Sequence, residues 1–147
     1  MDIPELEKSL ADYSQAIALD PGGADLYNTR GHLYYALWLI MPEAERDTDT
    51  AMGYRASTLD DLETAITLRP HNLAWRDTLD EVAEEWDDNA AAAGFWQELT
   101  VLDPKDTDAF SRLGQQTYQI GEYGRSIDAF GQASKLDPTN ATFISIL

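Results

Sequence analysis

The tripeptide Leu102-Asp103-Pro104 returns as Leu136-Asp137-Pro138 and is preceded by Leu68-Arg69-Pro70, so that the three prolines stand at two equal intervals of 34. A fourth copy, Leu19-Asp20-Pro21, precedes Pro70 by the longer interval of 49. A fixed period is the mark of a stacked repeat, and an interval of 34 is that of a helix–turn–helix unit. The longer interval holds the same unit with an insertion of fifteen.

The residues ahead of each proline agree. Tyr13, Ala16 and Ile17, then Leu62, Ala65 and Ile66, then Trp96 and Leu99, then Phe130 and Ala133 recur at the three- and four-residue spacing of one helical face. Each proline stops its helix, because it has no N–H to donate and its ring clashes with the preceding turn. After each one comes a short polar step and a second helical stretch. The pattern predicts an all-α chain with seven helices, at 4–19, 24–41, 50–69, 73–87, 89–102, 107–120 and 123–136, in a single array over residues 1–147. No alternating segment is long enough to argue for a sheet.

This arrangement resembles the tetratricopeptide-repeat family. The last repeat carries the likeness best, with Phe110, Leu113-Gly114, Ser126, Phe130, Ala133 and Pro138 at that family's aromatic, Leu-Gly, small, aromatic, small and proline places. The first supplies Tyr27, Gly31, Tyr34, Thr58, Leu62, Ala65 and Pro70, split by the insertion. The middle repeat fits at Leu79, Ala83, Ala92, Trp96 and Pro104, but Asp80 stands where glycine is usual, which predicts looser packing there. The resemblance implies a right-handed helix–turn–helix solenoid of about three repeats plus a leading helix, the first repeat carrying an extended hairpin insertion. Small residues such as Gly31, Ala92, Gly114 and Ser126 would let paired helices approach while aromatics fill the gaps. No such pair buries its apolar faces alone, so neighbours must stack.

Two features depart from a plain array. Leu37-Trp38-Leu39-Ile40-Met41 prolongs one helix of the first repeat and Asp49-Thr50-Ala51-Met52 starts the next one early, around an acidic tip at Glu43 to Asp49. The extension either offers a partner-binding protrusion around Trp38 or packs on itself, and apolar residues generally pack on each other. The chain also opens on the second helix of a repeat and closes on Ala141-Thr142-Phe143-Ile144-Ser145-Ile146-Leu147, an apolar ending where arrays carry a polar cap. Three explanations stand open: a piece of a longer array, ends that pair with another chain through Phe143, Ile144, Ile146 and Leu147, or a tail folded back over the last groove.

Composition narrows the function. Twenty-seven acids against ten bases give a formal charge of −17, a field that repels nucleic-acid phosphates and anionic lipid surfaces and favours basic partners. With no cysteine, thiolate chemistry and disulfides are out. The first residues show no basic or apolar leader, and Ala36 to Met41, the longest apolar run, is too short to span a bilayer, which makes the cytoplasm the default expectation.

By the resemblance, the first helix of each pair lines a groove that receives partners. Helical spacing puts Asp25, Asn28, His32 and Tyr35 on that face in the first repeat. The second repeat supplies Asp77, Glu81, Glu84 and Glu85, and the third Asp108, Ser111, Arg112, Gln115 and Tyr118. Residues 73–108 hold eleven acids and two bases, whereas 109–147 balance at three each. An acidic wall attracts lysine- and arginine-rich or amphipathic segments, with aromatics adding cation–π contacts. Charge runs are also commonly solvated faces. Chaperone-binding members of the family grip acidic peptide ends with lysine, asparagine and arginine. At the matching places stand Asn28, His32, Thr78, Asp108 and Arg112, of which only Arg112 keeps a positive charge, so that specialisation is not expected.

Nothing argues for catalysis. His32 and His71 lie apart with no serine–acid partner, Gly22-Gly23 reads as a helix-ending turn, and the acid pairs Asp47/Asp49 and Asp87/Asp88 lack a calcium-loop pattern. The expectation is a non-catalytic interaction module without cofactor or metal, or alternatively a scaffold that self-assembles through its terminal helices.

Overall fold

Asp2 starts the first helix. Its side chain accepts the Glu5 N–H at 2.9 Å while the Glu5 carboxylate takes the Asp2 N–H at 3.3 Å, a reciprocal cap that satisfies two otherwise orphaned donors. Helix α1 (Ile3–Leu19) then runs to Asp20, and the Gly22-Gly23 turn leads into α2 (Ala24–Leu39). A Cβ on Gly23 would lie 2.8 Å from the Leu26 side chain and 2.9 Å from that of Asp20, so a larger residue there would require these side chains to move.

The computed structural model describes residues 2–139. Among them are seven α-helices and no strand: α1 and α2, then α3 (Asp49–Leu68), α4 (Leu73–Glu85), α5 (Asn89–Leu102), α6 (Thr107–Gln119) and α7 (Tyr123–Leu136). Each proline of the repeat falls just beyond a helix, as its chemistry requires. Thr48 caps α3 by accepting the Ala51 N–H, and Asp106 caps α6 by accepting that of Ala109. The residues Phe143, Ile144, Ile146 and Leu147, read from sequence as oligomer contacts, lie outside the described residues.

The chain divides into two compact units, Met1–Leu79 and Asp80–Leu147, with α4 running across the boundary. In the first unit α1 packs on α2 and α2 on α3, burying Leu6, Ile17, Leu37, Leu62 and Ile66. Gly31 lets α2 and α3 approach, since a Cβ there would meet Asp61 at 3.2 Å and Leu62 at 3.4 Å. Helices α2 and α3 have 16 and 20 residues against 13 and 14 for α6 and α7, and a short 3-10 turn, Glu43–Glu45, joins them. This hairpin packs on itself: Trp38 is buried beneath the Arg46 guanidinium, 4.4 Å above its ring, while Arg46 also donates to the Leu39 carbonyl.

In the second unit α6 packs on both α5 and α7. Trp96 is wholly buried, worth roughly 3 kcal/mol of apolar transfer. Ser126 donates to the Gly114 carbonyl at 2.8 Å, and a Cβ on Gly114 would lie 2.8 Å from the Phe130 ring. Two matching turns separate the helix pairs. Asp87 and, one repeat period on, Gly121 both take positive φ, at 55° and 82°, and the N–H that follows each bonds back to Ala83 or Thr117.

Candidate functional site

Asp25, Asn28, His32 and Tyr35 form one stripe along α2, at spacings of three and four. Asp25 is exposed and paired with Arg69 through two bonds of 3.1 and 3.2 Å, and the Arg69 guanidinium also lies over Trp75. His32 is exposed and bonds through Nδ1 to the Asn28 carbonyl at 2.7 Å. Tyr35 is half-buried beside the Trp38 ring. Behind the stripe, Arg30 holds the buried Asp61 of α3 in a bidentate pair, both bonds 2.8 Å. Its guanidinium lies near the Tyr27 and Tyr34 rings, and the pairing keeps its pKa above the ordinary arginine value despite partial burial.

Asp77, Glu81, Glu84 and Glu85 follow one side of α4, and Glu81, Glu84 and Asp77 are exposed along it. Asp108, Ser111, Arg112, Gln115 and Tyr118 form the corresponding stripe on α6. Arg112 joins α4 to α6. Its Nε donates to Asp108 at 2.7 Å and its Nη1 to Asp80 at 2.9 Å, while the guanidinium sits 5.4 Å from the centroid of the Trp96 ring. The one cation that sequence matched to a carboxylate-gripping role is thus already held by two carboxylates.

Sequence reasoning missed the group at the centre of this network. Asp80 accepts three hydrogen bonds: from Trp96 Nε1 at 2.7 Å, from Gln116 Nε2 at 2.8 Å and from Arg112. Gln116 in turn accepts from the buried Asn89 at 2.8 Å. Burial raises the Asp80 pKa above the usual carboxylate range, and the three donors hold it down only in part. The signal that could have found it is Asp80 itself, an acid where glycine is usual, taken with Trp96, whose indole can donate a hydrogen bond that Phe130, one repeat later, cannot.

Two depressions lie in the second unit. One, of about 220 Å³, is lined by Gln97 of α5, Phe110 and Leu113 of α6, and Arg125, Asp128, Ala129 and Gln132 of α7. The other, of about 320 Å³ and mostly apolar, is lined by Gln115, Tyr118, Gln119 and Phe130, so it contains two residues of the α6 stripe. Among the described residues no three histidine or acidic side chains are grouped to hold a metal ion, and no helix is long and apolar enough to cross a membrane.

A helix–turn–helix array with this period, these prolines and these Gly–aromatic contacts belongs to the class of helical repeat folds. A family model described as TPR repeat matches residues 5–37, across α1 and most of α2. No curated protein matches the chain. Among solved structures, MamA is 17% identical with a TM-score of 0.55, over 99% of this chain and 81% of that one. YrrB, described as a TPR protein with an unusual peptide-binding site, is 22% identical with a TM-score of 0.54, over 98% of this chain and 66% of its own. TTC0263 of Thermus thermophilus, a thermophilic TPR protein, is 16% identical with a TM-score of 0.53, over 97% and 71%. The chain therefore carries a tetratricopeptide repeat at its start and has the tetratricopeptide-repeat fold.

Proposed function

We propose that this chain is a cytoplasmic, non-catalytic protein–protein interaction module whose acidic face on α4 takes a basic or amphipathic segment of a partner protein. The observation that carries this is the state of the α4 acids: Glu81 and Glu84 are exposed and meet no cation among the described residues, while the nearby Arg112 is consumed by Asp80 and Asp108. The unneutralised charge is left to attract a ligand. The peptide-binding description of YrrB, which shares the fold, supports a peptide as the ligand class.

The test compares two triple charge reversals of equal size, measured by fluorescence anisotropy with a lysine-rich amphipathic peptide. Asp77→Lys, Glu81→Lys and Glu84→Lys should abolish binding that added salt also weakens. Reversal of Glu43, Glu45 and Asp47 at the α2–α3 connection should leave affinity near that of the parent. Equal losses in both variants would mean that the peptide responds to net charge alone, and the proposed face would be wrong.

A further inference from the structure

Helices α4 and α6 carry corresponding stripes of different chemistry. Glu81, Glu84 and Glu85 of α4 are matched, one repeat period later, by Gln115, Tyr118 and Gln119 of α6, so three carboxylates give way to two amides and a phenol. The two helices are joined beside these stripes, where Asp80 accepts from both Arg112 and Gln116 of α6. The three neutral residues wall the mostly apolar 320 Å³ depression, with Phe130 as its fourth lining residue. Phe130 is itself buried, so the surface on offer is that of the walls. Tyr118 is 58% exposed and meets Tyr123 of α7 edge-on, the ring centroids 5.4 Å apart. Tyr123 is equally exposed, and exposed aromatic surface thus continues from the depression onto α7.

The charge beside the depression selects its occupant. Glu81 and Glu84 are exposed on the helix that Arg112 and Gln116 tie to α6, and a second copy of a chain at −17 would arrive against like charge. A segment that brings cations to α4 meets no such penalty, and the depression beside those acids has room for one leucine- or phenylalanine-sized side chain. We propose that the depression takes a large apolar side chain of the same basic segment whose cations meet the α4 acids. The ligand is then an amphipathic lysine- or arginine-rich peptide, and Tyr118 selects its apolar anchor. This inference rests on the reading of α4 given above and narrows it from any basic segment to one that carries such an anchor.

The test titrates the full chain, by fluorescence anisotropy, with two lysine-rich peptides of equal length and charge, one with a central leucine and one with asparagine in its place. The parent should bind the leucine peptide about tenfold more tightly, the scale of burying one such side chain. Tyr118→Ser should bring the two affinities together while leaving the asparagine peptide's affinity and salt dependence at parent values. Tyr118→Phe should keep the preference. Equal binding of both peptides by the parent, or a preference that survives Tyr118→Ser, overturns the proposal. So does a parent that is dimeric in sedimentation equilibrium while Tyr118→Ser is monomeric, since the occupant is then a second copy. Failure of the α4 reading looks different: the Asp77, Glu81 and Glu84 reversal would leave both peptides bound as in the parent, whereas failure here leaves that reversal effective and removes only the leucine preference.

Discussion

The indole Nε1–H of Trp96 donates a 2.7 Å hydrogen bond to Oδ1 of Asp80, and one repeat later the same two places are held by Phe130 and Gly114 in van der Waals contact. Both pairs join the first helix of a repeat to the second. One uses close approach over a glycine, the other a buried polar contact in which a carboxylate fills the space and an indole answers it.

The two residues should therefore be coupled. Asp80→Gly strands the donors of Trp96, Gln116 and Arg112, costing about 2–3 kcal/mol, with roughly 1 kcal/mol more for glycine inside a helix. Trp96→Phe removes one donor and costs about 1 kcal/mol beyond lost packing. The double change should cost less than the sum by at least about 0.5 kcal/mol in urea unfolding followed by circular dichroism. Strict additivity would contradict the pairing.

The raised pKa of Asp80 makes a signed prediction. Its carboxyl keeps a proton in the folded state to a higher pH than in the unfolded chain, where the value is about 3.9. Between the two values the folded state binds more protons, so this contribution to stability is full in acid and is lost as pH rises through the folded pKa. Asp80→Asn cannot titrate. Its stability relative to the parent should improve from about pH 4 toward neutrality, whatever constant offset the substitution carries. An offset that is flat or falling over that window would contradict the assignment.

Gly114 and Gly94 should respond oppositely to alanine. A Cβ at Gly114 strikes the Phe130 ring at 2.8 Å, and Gly114→Ala should cost about 1–3 kcal/mol. Gly94 lies in α5 with nothing within 4 Å of the added carbon, and Gly94→Ala should gain about 0.5–1 kcal/mol from helix propensity. Thermal melts of the two variants distinguish them by sign.

Asp87 holds a φ of 55° at the turn where Gly121, one repeat later, holds 82°. A side chain in this left-handed region costs about 1 kcal/mol, less for aspartate than for most residues. Asp87→Gly should raise Tm modestly, and a fall would mean that the Asp87 side chain makes contacts worth more than the strain.

Much of the fold was legible because its determinants are local. Period-3.6 apolar spacing and a proline after each repeat's closing helix mark seven helices and their order without knowledge of any distant contact. The stripes at Asp25, Asn28, His32 and Tyr35 and at Asp108, Arg112 and Gln115 were legible for the same reason, since i, i+3 and i+4 neighbours share a helix face. The state of their side chains was not. Arg112 read as the remaining cation of a ligand grip and is bound to Asp80, on a different helix. Asp80 read as a departure that loosens packing and is the acceptor for three buried or half-buried donors.

Sequence alone determined the all-helical class and the repeating unit, because backbone hydrogen bonding and proline chemistry act within a few residues of themselves. Only tertiary structure decided which polar groups are satisfied inside and which acids are left exposed on α4. That choice depends on which side chains from helices far apart in the chain arrive within hydrogen-bonding distance of one another, and no local pattern records it.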